Sequence, residues 1–490
     1  MGIGIVYRVG RKVLGVLATV ARSERALMAE VLAPRQGNAV LRRQVARVRH
    51  EPTERAWFAA LSASGCASQR VCTRSTGAPR RSHIDIYVWR HPMAADLEQG
   101  TARAAQGMHF DASLDCWVVD GYAEAVAVMR EPALEIPLLP LPAAHLADSE
   151  QATLTPLWKQ AMDTPLYSSG KAHRRLRAQL RGPFTHDAVD RWRPTIRRVA
   201  DAAIDACTPC GKLEVIEDVA GPLLRQVMAE VVGIPQDRRA EFDLLANASM
   251  DAGKLATPQW SSAVLVEAAR AVEQLGDLVH DLLGRADELP TGSVLARAAA
   301  RRGADGGLSE SELATNVRSL YTSGVYTTVF LVASAAYLLF CDEDVLREAR
   351  RDDTVIRGVV HETLRYACPA VETNIRRATR DISIGMQTIR RGQFVRTAVL
   401  YANRDPQRFD APDLFDHRRP SQGPSLAYGV GPHVCLGNHL ATAVAEEVLR
   451  ALAQPRRDVR LDTPHPTFHR RAAIPVMWGP DRVHLKLGPN

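Results

Sequence analysis

The chain has 490 residues, 46% of them hydrophobic and 24% charged, with a net charge of +7 at pH 7. That composition excludes a disordered chain, a collagen-like chain and a mini-protein held by cross-links, because it supplies apolar material for a sizeable core. The positive excess is local: residues 1–90 hold 16 Lys+Arg and 5 Asp+Glu, and the remaining 46 basic and 50 acidic residues leave the main body at −4. Such a body makes no general electrostatic case for binding nucleic acid.

At the start of the chain the apolar run Val13–Ala21 follows Arg8, Arg11 and Lys12. It is too short to span a bilayer and no small-x-small site follows it, so neither an anchor nor an export signal is expected. Glu24–Ala33 has helical character and is broken by Pro34 and Gly37. Leu41, Val45 and Val48 then recur among Arg42, Arg43, Arg47 and Arg49, the pattern of a short basic amphipathic helix. Residues 62–82 are rich in Ser, Gly and Arg and read as a linker. Glu24–Leu61 weakly resembles the N-terminal part of insertion-element transposases or integrases, but includes none of their catalytic acids. Residues 1–93 are therefore expected to be a basic extension of helical pieces and linker outside the catalytic fold, with nucleic acid not expected as a partner. The eight cysteines are scattered, and Cys207-Thr-Pro-Cys210 has no second pair, so neither a disulfide framework nor a zinc site is expected.

From Gly107 the pattern becomes globular. Asp115–Met129 predicts a strand, a turn and a helix. Helical periodicity covers 174–206, 220–246, 262–286, 310–352 and 354–367, and short strands are predicted around Ile382–Ile384, Phe394–Thr397 and Val483–Leu487. The fold class is mainly α with a small β component. Ser319–Phe340 runs 22 residues without a charge, long enough to cross a membrane. Its serines, threonines and tyrosines instead mark the central helix of a large soluble domain, so no membrane is expected.

The most specific local pattern is Leu426–Gly437 (LAYGVGPHVCLG), followed by the helical run Asn438–Ala453. A Gly-x-Gly turn delivers Cys435 to a helix start, where unpaired amides favour a thiolate. Gly437 lets a flat ligand approach the backbone, and His433 can donate a hydrogen bond to an anion in the same plane. With Gly429, Gly431, His433, Cys435 and Gly437 in register, this segment resembles the haem-binding loop of the cytochrome P450 (haem-thiolate) family. The resemblance implies that Cys435 is the axial iron ligand of a haem b. Tyr428 stands where the family usually has Phe.

Other motifs follow in the family's order. Glu362-Thr-Leu-Arg365 matches its ExxR, whose members pair one helical turn apart. A meander follows at Ala402–Pro406 and Pro412–Asp416. Leu414 occupies a position where many members carry an arginine, leaving His417, Arg418 or Arg419 as the third partner. His173 and Arg177 match HxxxR, and with Arg376 and His433 the resemblance assigns them to the haem propionates. Ser323–Thr328 matches the distal-helix signature. The resemblance implies that Gly324 makes room for dioxygen and that the Thr327 hydroxyl passes protons. The family's acid is absent, and Tyr326 takes its place.

The resemblance spans roughly residues 94–490 and implies the family's triangular helical fold. It further implies a soluble, cytoplasmic monooxygenase of a bacterial biosynthetic pathway. Such an enzyme takes dioxygen and a small organic substrate, with electrons from NAD(P)H through a ferredoxin or flavodoxin and its reductase. Substrate contacts are expected from the stiff apolar loop Leu134–Leu146, from Leu320 and Ser323, and from Pro369–Thr373, with Glu372 as a polar contact. Tyr326 also leaves open a peroxide-driven or oxidative-coupling enzyme. Two further readings are a non-catalytic haem module and DNA binding through the basic N-terminal segment.

Overall fold

The computed structural model describes residues 107–488, apart from 113, 138–147, 150, 153–154, 156–159, 161–162, 251–261, 303–305, 420–424, 463–465 and 472–473. The basic segment 1–93, with its transposase-like stretch, lies outside the described residues, as does most of the loop Leu134–Leu146.

Helices dominate: α1 (Tyr122–Arg130), α2 (Gly170–Leu180), α3 (His186–Cys207), α4 (Gly221–Val232), α5 (Arg239–Met250), α6 (Ser262–Gly284), α7 (Val294–Ala299), α8 (Glu310–Phe340), α9 (Glu343–Ala349), α10 (Asp353–Tyr366), α11 (Val399–Ala402) and α12 (Asn438–Leu452). The strands are β1 (Met108–Asp111), β2 (Cys116–Val119), β3 (Leu134–Glu135), β4 (Lys212–Glu214), β5 (Arg376–Ala378), β6 (Ile382–Ile384), β7 (Gln387–Ile389), β8 (Phe394–Thr397), β9 (Val459–Leu461), β10 (Phe468–Arg471), β11 (Ile474–Pro480) and β12 (His484–Leu487). A five-stranded sheet runs β1-β2-β8-β5-β3, with β2 and β8 parallel and the other neighbours antiparallel. A three-stranded sheet runs β4-β12-β9, and β10-β11 and β6-β7 form separate antiparallel pairs.

Helix α8 organises the core. Ser309 Oγ accepts from the Glu312 amide at 3.1 Å, and the Glu312 carboxylate accepts from the Ser309 amide at 2.9 Å, a reciprocal cap that starts the helix. Every residue from Thr328 to Phe340 is buried, against α4, α6, α10, α12 and β11. Its apolar window is 78% buried inside the protein, the environment of a core helix.

Three predicted helices are each two. Gly182 and Pro183 turn the chain between α2 and α3, because Pro183 cannot supply the amide a continuous helix needs. The run 220–246 breaks after Val232, where Gly233 adopts φ +105 and Pro235 follows. The run 310–352 ends at Cys341, and Asp342 Oδ1 caps α9 by accepting from the Asp344 and Val345 amides. The strand–turn–helix at Asp115–Met129 forms as expected, and α10 lies within a residue of its predicted span.

Candidate active site

The loop before α12 is shaped by two glycines. Gly429 takes φ +65 with ψ −179, a conformation essentially reserved for glycine. Gly431 takes φ +78, and a Cβ there would stand 3.1 Å from the Met129 carbonyl oxygen at the end of α1. Asn403 Oδ1 accepts from the Leu426 amide at 2.7 Å, and the Cys435 amide donates to the Tyr428 carbonyl at 2.8 Å, closing the loop on itself. Tyr428 is anchored in turn, its hydroxyl 3.0 Å from Thr442 Oγ1.

Cys435 is crowded by neighbouring atoms yet accessible, so a ligand can reach it. Burial raises its thiol, while the Gly437 amide and the charge of Arg177 pull it down. The amide at the helix start does favour the thiolate, and desolvation opposes it more strongly. A bound metal cation reverses that balance, because it deprotonates a coordinating thiol outright. A Cβ on Gly437 would meet nothing within 4 Å, leaving the backbone open to a flat ligand.

Beside the cysteine, basic groups converge from α2, β5 and the loop. The rings of His173 on α2 and His433 stand 4.2 Å apart; Arg177 acts on both and Arg376 on His433. Burial, His173, Arg376 and Arg177 together push His433 down to about 4, while its ring donates to the Pro165 carbonyl. His173 is held down by burial and by Arg177 and Arg174. Buried Arg376 donates from Nη1 to the Leu134 carbonyl at 3.2 Å, but its Nε and His173 Nε2 have no partner. Two guanidinium groups beside two imidazoles, with orphaned buried donors on Arg376 and His173, are complementary to an anion.

The proximal brace is fully paired. Arg365 Nε and Nη2 donate to the two oxygens of Glu362 at 2.9 and 2.7 Å, with both side chains buried. Arg365 also donates to the carbonyls of Asn403 (3.1 Å), Pro412 (2.7 Å) and Leu414 (2.9 Å). The third partner is Arg419, whose Nε reaches Glu362 Oε1 at 3.1 Å and whose Nη2 shares the Leu414 carbonyl. His417 and Arg418 turn to Glu348 instead.

On α8, Ser323 is exposed and Leu320 and Thr327 are half-buried, a stripe at helical spacing within the less buried first half of the helix. Thr327 Oγ1 donates to the Ser323 carbonyl at 2.6 Å, which leaves its lone pairs to accept. Gly324 turns its bare Cα to α4, where a Cβ would stand 2.6 Å from Met228 Sδ, so close helix packing by itself favours glycine here. Tyr326 donates to Asn247 Oδ1 at 2.5 Å, and Tyr321 to Asp243 Oδ1 at 2.7 Å, so both tyrosines tie α8 to α5. Glu372 pairs with Arg396 at 3.1 Å.

A soft sulfur ligand, an open backbone beside it and a cation cluster suited to carboxylates fit a haem with its two propionates. The family description Cytochrome P450 matches residues 291–454. The chain is 30% identical over 385 residues to the cytochrome P450 monooxygenase PikC of Streptomyces venezuelae, covering 74% of this chain and 85% of that protein. The chain belongs to the cytochrome P450 family. It is also 30% identical over 348 residues to the 6-deoxyerythronolide B hydroxylase of Saccharopolyspora erythraea, covering 69% of this chain and 82% of that enzyme. The crystal structure of P450BioI, in complex with an acyl carrier protein carrying hexadec-9Z-enoic acid, matches with a TM-score of 0.69 and 26% identity, over 81% of this chain and 99% of that one. That of the myxobacterial cytochrome P450 CYP267B1, in complex with myristic acid, matches with a TM-score of 0.67 and 28% identity, over 82% and 98%.

This cytochrome P450 is a monooxygenase whose cofactor is a b-type haem with a cysteine thiolate as axial ligand. Asn403 and Asn247 escaped the sequence reading. Asn403 does carry a signal, since it lies inside the quoted meander, whereas Asn247 has no local one.

Proposed function

We propose that this cytochrome P450 inserts one atom of dioxygen into a C–H or C=C bond of a medium-sized, partly apolar organic substrate, in the cytoplasm and in a biosynthetic pathway. Electrons would come from NAD(P)H through a ferredoxin or flavodoxin and its reductase. The observation that supports the reading is the glycine-shaped loop that presents Cys435 beside the His173–Arg177–Arg376–His433 cluster, a sulfur ligand next to basic partners for carboxylates.

Cys435 would hold the iron, the Gly437 amide would steady its sulfur, and the four basic residues would hold the propionates. When bound, the haem supplies dioxygen binding and its reductive activation for oxygen transfer. Thr327, with its proton committed to the Ser323 carbonyl, would be left to accept a hydrogen bond from water or a substrate hydroxyl. Tyr326 takes no part in proton delivery in this account, because its hydroxyl is spent on Asn247. Protons instead reach Thr327 from solvent or from a substrate hydroxyl.

Tyr326→Phe is accordingly expected to change turnover less than about threefold while costing about 0.5–1.5 kcal/mol of stability, the worth of one hydrogen bond. Steady-state rates and urea unfolding measure the two separately; a large rate loss with unchanged stability would return Tyr326 to the chemistry.

The missing acid at position 326 favours a second reading, a peroxide-driven or oxidative-coupling enzyme. Reconstitution with a ferredoxin, its reductase, NADPH and isotopically labelled dioxygen separates the two, with myristic acid as the probe that CYP267B1 binds. One labelled oxygen atom in the product is the expected result. Turnover with hydrogen peroxide alone, and none with NADPH, would replace it by the second reading.

A further inference from the structure

A cavity of about 400 Å³ lies between α2, the end of α6, α7 and the start of α8. Its volume falls within the roughly 300–1,000 Å³ of small-molecule sites. None of the groups around Cys435 lines it. Its floor is apolar, made by the buried side chains of Leu283 from α6, Val294 from α7 and Leu313 from α8.

Hydrogen bonds fix the walls. Gln179 Nε2 on α2 donates to the Gly306 carbonyl at 3.1 Å, and Arg175 Nη1, one turn earlier, donates to the Gly307 carbonyl at 3.1 Å. The segment that leads into α8 is thereby tied to α2, and Arg175 also pairs with Glu312 in the cap of α8.

Three arginines reach the cavity from the end of α7. Arg297 lies against the turn between α2 and α3, where the bare Cα of Gly182 makes room: a Cβ there would stand 2.5 Å from Arg297 Cζ. Its Nε is buried and has no hydrogen-bond partner. Arg301, four residues on, is steadied by Nη1 donating to Gln179 Oε1 at 3.1 Å, which uses one of its several donors. Arg302 donates to Glu310 Oε1, whose other oxygen stands 2.8 Å from His280 Nδ1.

We propose that this cavity binds a small organic carboxylate with an aromatic or short aliphatic body, at a site separate from the chemistry at Cys435. The carboxylate lies on Arg297 and Arg301, and the body on the floor of Leu283, Val294 and Leu313. Two guanidiniums about one helical turn apart offer paired donors to the two oxygens of a carboxylate. A bare inorganic anion would leave the apolar floor unfilled. A phosphate monoester, with its greater charge, would be repelled by the Glu310 carboxylate in the same lining.

Calorimetric titration of the haem-loaded full chain with 2-naphthoate, 2-naphthamide and inorganic phosphate tests this. The acid is expected to bind roughly 10- to 100-fold more tightly than the amide, the range of charge-assisted hydrogen bonds, and phosphate more weakly than the acid. Arg297→Met should bring the acid down to the amide's affinity and leave the amide unchanged. Arg301→Met, at an exposed position, should lose roughly 3- to 10-fold of the acid's affinity, and it keeps the test decisive if Arg297→Met disturbs the fold. Ala298→Phe, which fills the cavity, should weaken acid and amide alike at least about tenfold. The Soret band should stay in place on binding, because the lining shares no residue with the cluster beside Cys435. Equal affinity for acid and amide, a preference for the acid that survives both arginine changes, or phosphate binding as tightly as the acid would each overturn the proposal. So would binding that shifts the Soret band and is indifferent to Ala298→Phe.

Discussion

Glu362→Gln is expected to lower the stability of the folded protein by about 3–5 kcal/mol, the usual effect of removing one partner from a buried ion pair. The carboxylate accepts from Arg365 at 2.7 and 2.9 Å, from Arg419 at 3.1 Å and from the Asp416 amide at 3.1 Å. Gln keeps the shape and one acceptor oxygen but leaves two guanidinium groups in the protein without their counter-charge. The meander they grip, through the Asn403, Pro412 and Leu414 carbonyls, leads directly into the cysteine loop, where Asn403 Oδ1 holds the Leu426 amide. Haem content should therefore fall together with the denaturant midpoint. A loss under about 1 kcal/mol would mean that the carbonyl bonds hold the meander unaided.

Arg376→Leu acts in the opposite sense on the two forms of the protein. Without haem, Arg376 is a buried cation that depresses His433 and has an unpartnered Nε, so its removal should leave stability unchanged or higher. With haem, it removes a charge-assisted bond to a propionate, and transfer of haem to a high-affinity acceptor should speed up roughly 10- to 100-fold. The same cluster sets a pH dependence for the haem-free protein. His433 titrates at about 4 when folded and near 6.5 when unfolded, so the unfolded chain binds its proton first as pH falls. Its contribution to stability is present above pH 6.5 and is lost as pH falls toward 4. Haem should soften that loss, because its carboxylates favour the protonated ring. Equal acid sensitivity with and without haem would argue against propionates at this cluster.

The parts of the site legible in the sequence are those fixed by short spacing. Glu362 and Arg365 share one helix face, His173 and Arg177 another, and Gly429, Gly431 and Cys435 fall within a single turn whose backbone demands glycine. The third partner of Glu362 was narrowed to three neighbouring residues but not chosen, because consecutive side chains of an irregular meander point in different directions. Arg419 turns inward while His417 and Arg418 reach Glu348.

Contacts set by tertiary crossing left little local trace. Tyr326 occupies the position of the family's acid, yet its partner Asn247 lies 79 residues away on α5. Gly324 fits the family's signature, but its need for a bare Cα comes from Met228 on another helix. Helix boundaries failed for a related reason: periodicity runs across Gly182-Pro183 and across Gly233, and the breakers prevail over it.

The central claim is that Cys435 is the thiolate ligand of a haem, and a reduced, carbon monoxide-bound difference spectrum tests it most directly, for the whole chain and for Cys435→Ala. The account predicts a strongly red-shifted Soret band in the first and its loss in the second. A band at the position typical of histidine ligation, or a red-shifted band that survives Cys435→Ala, would contradict it.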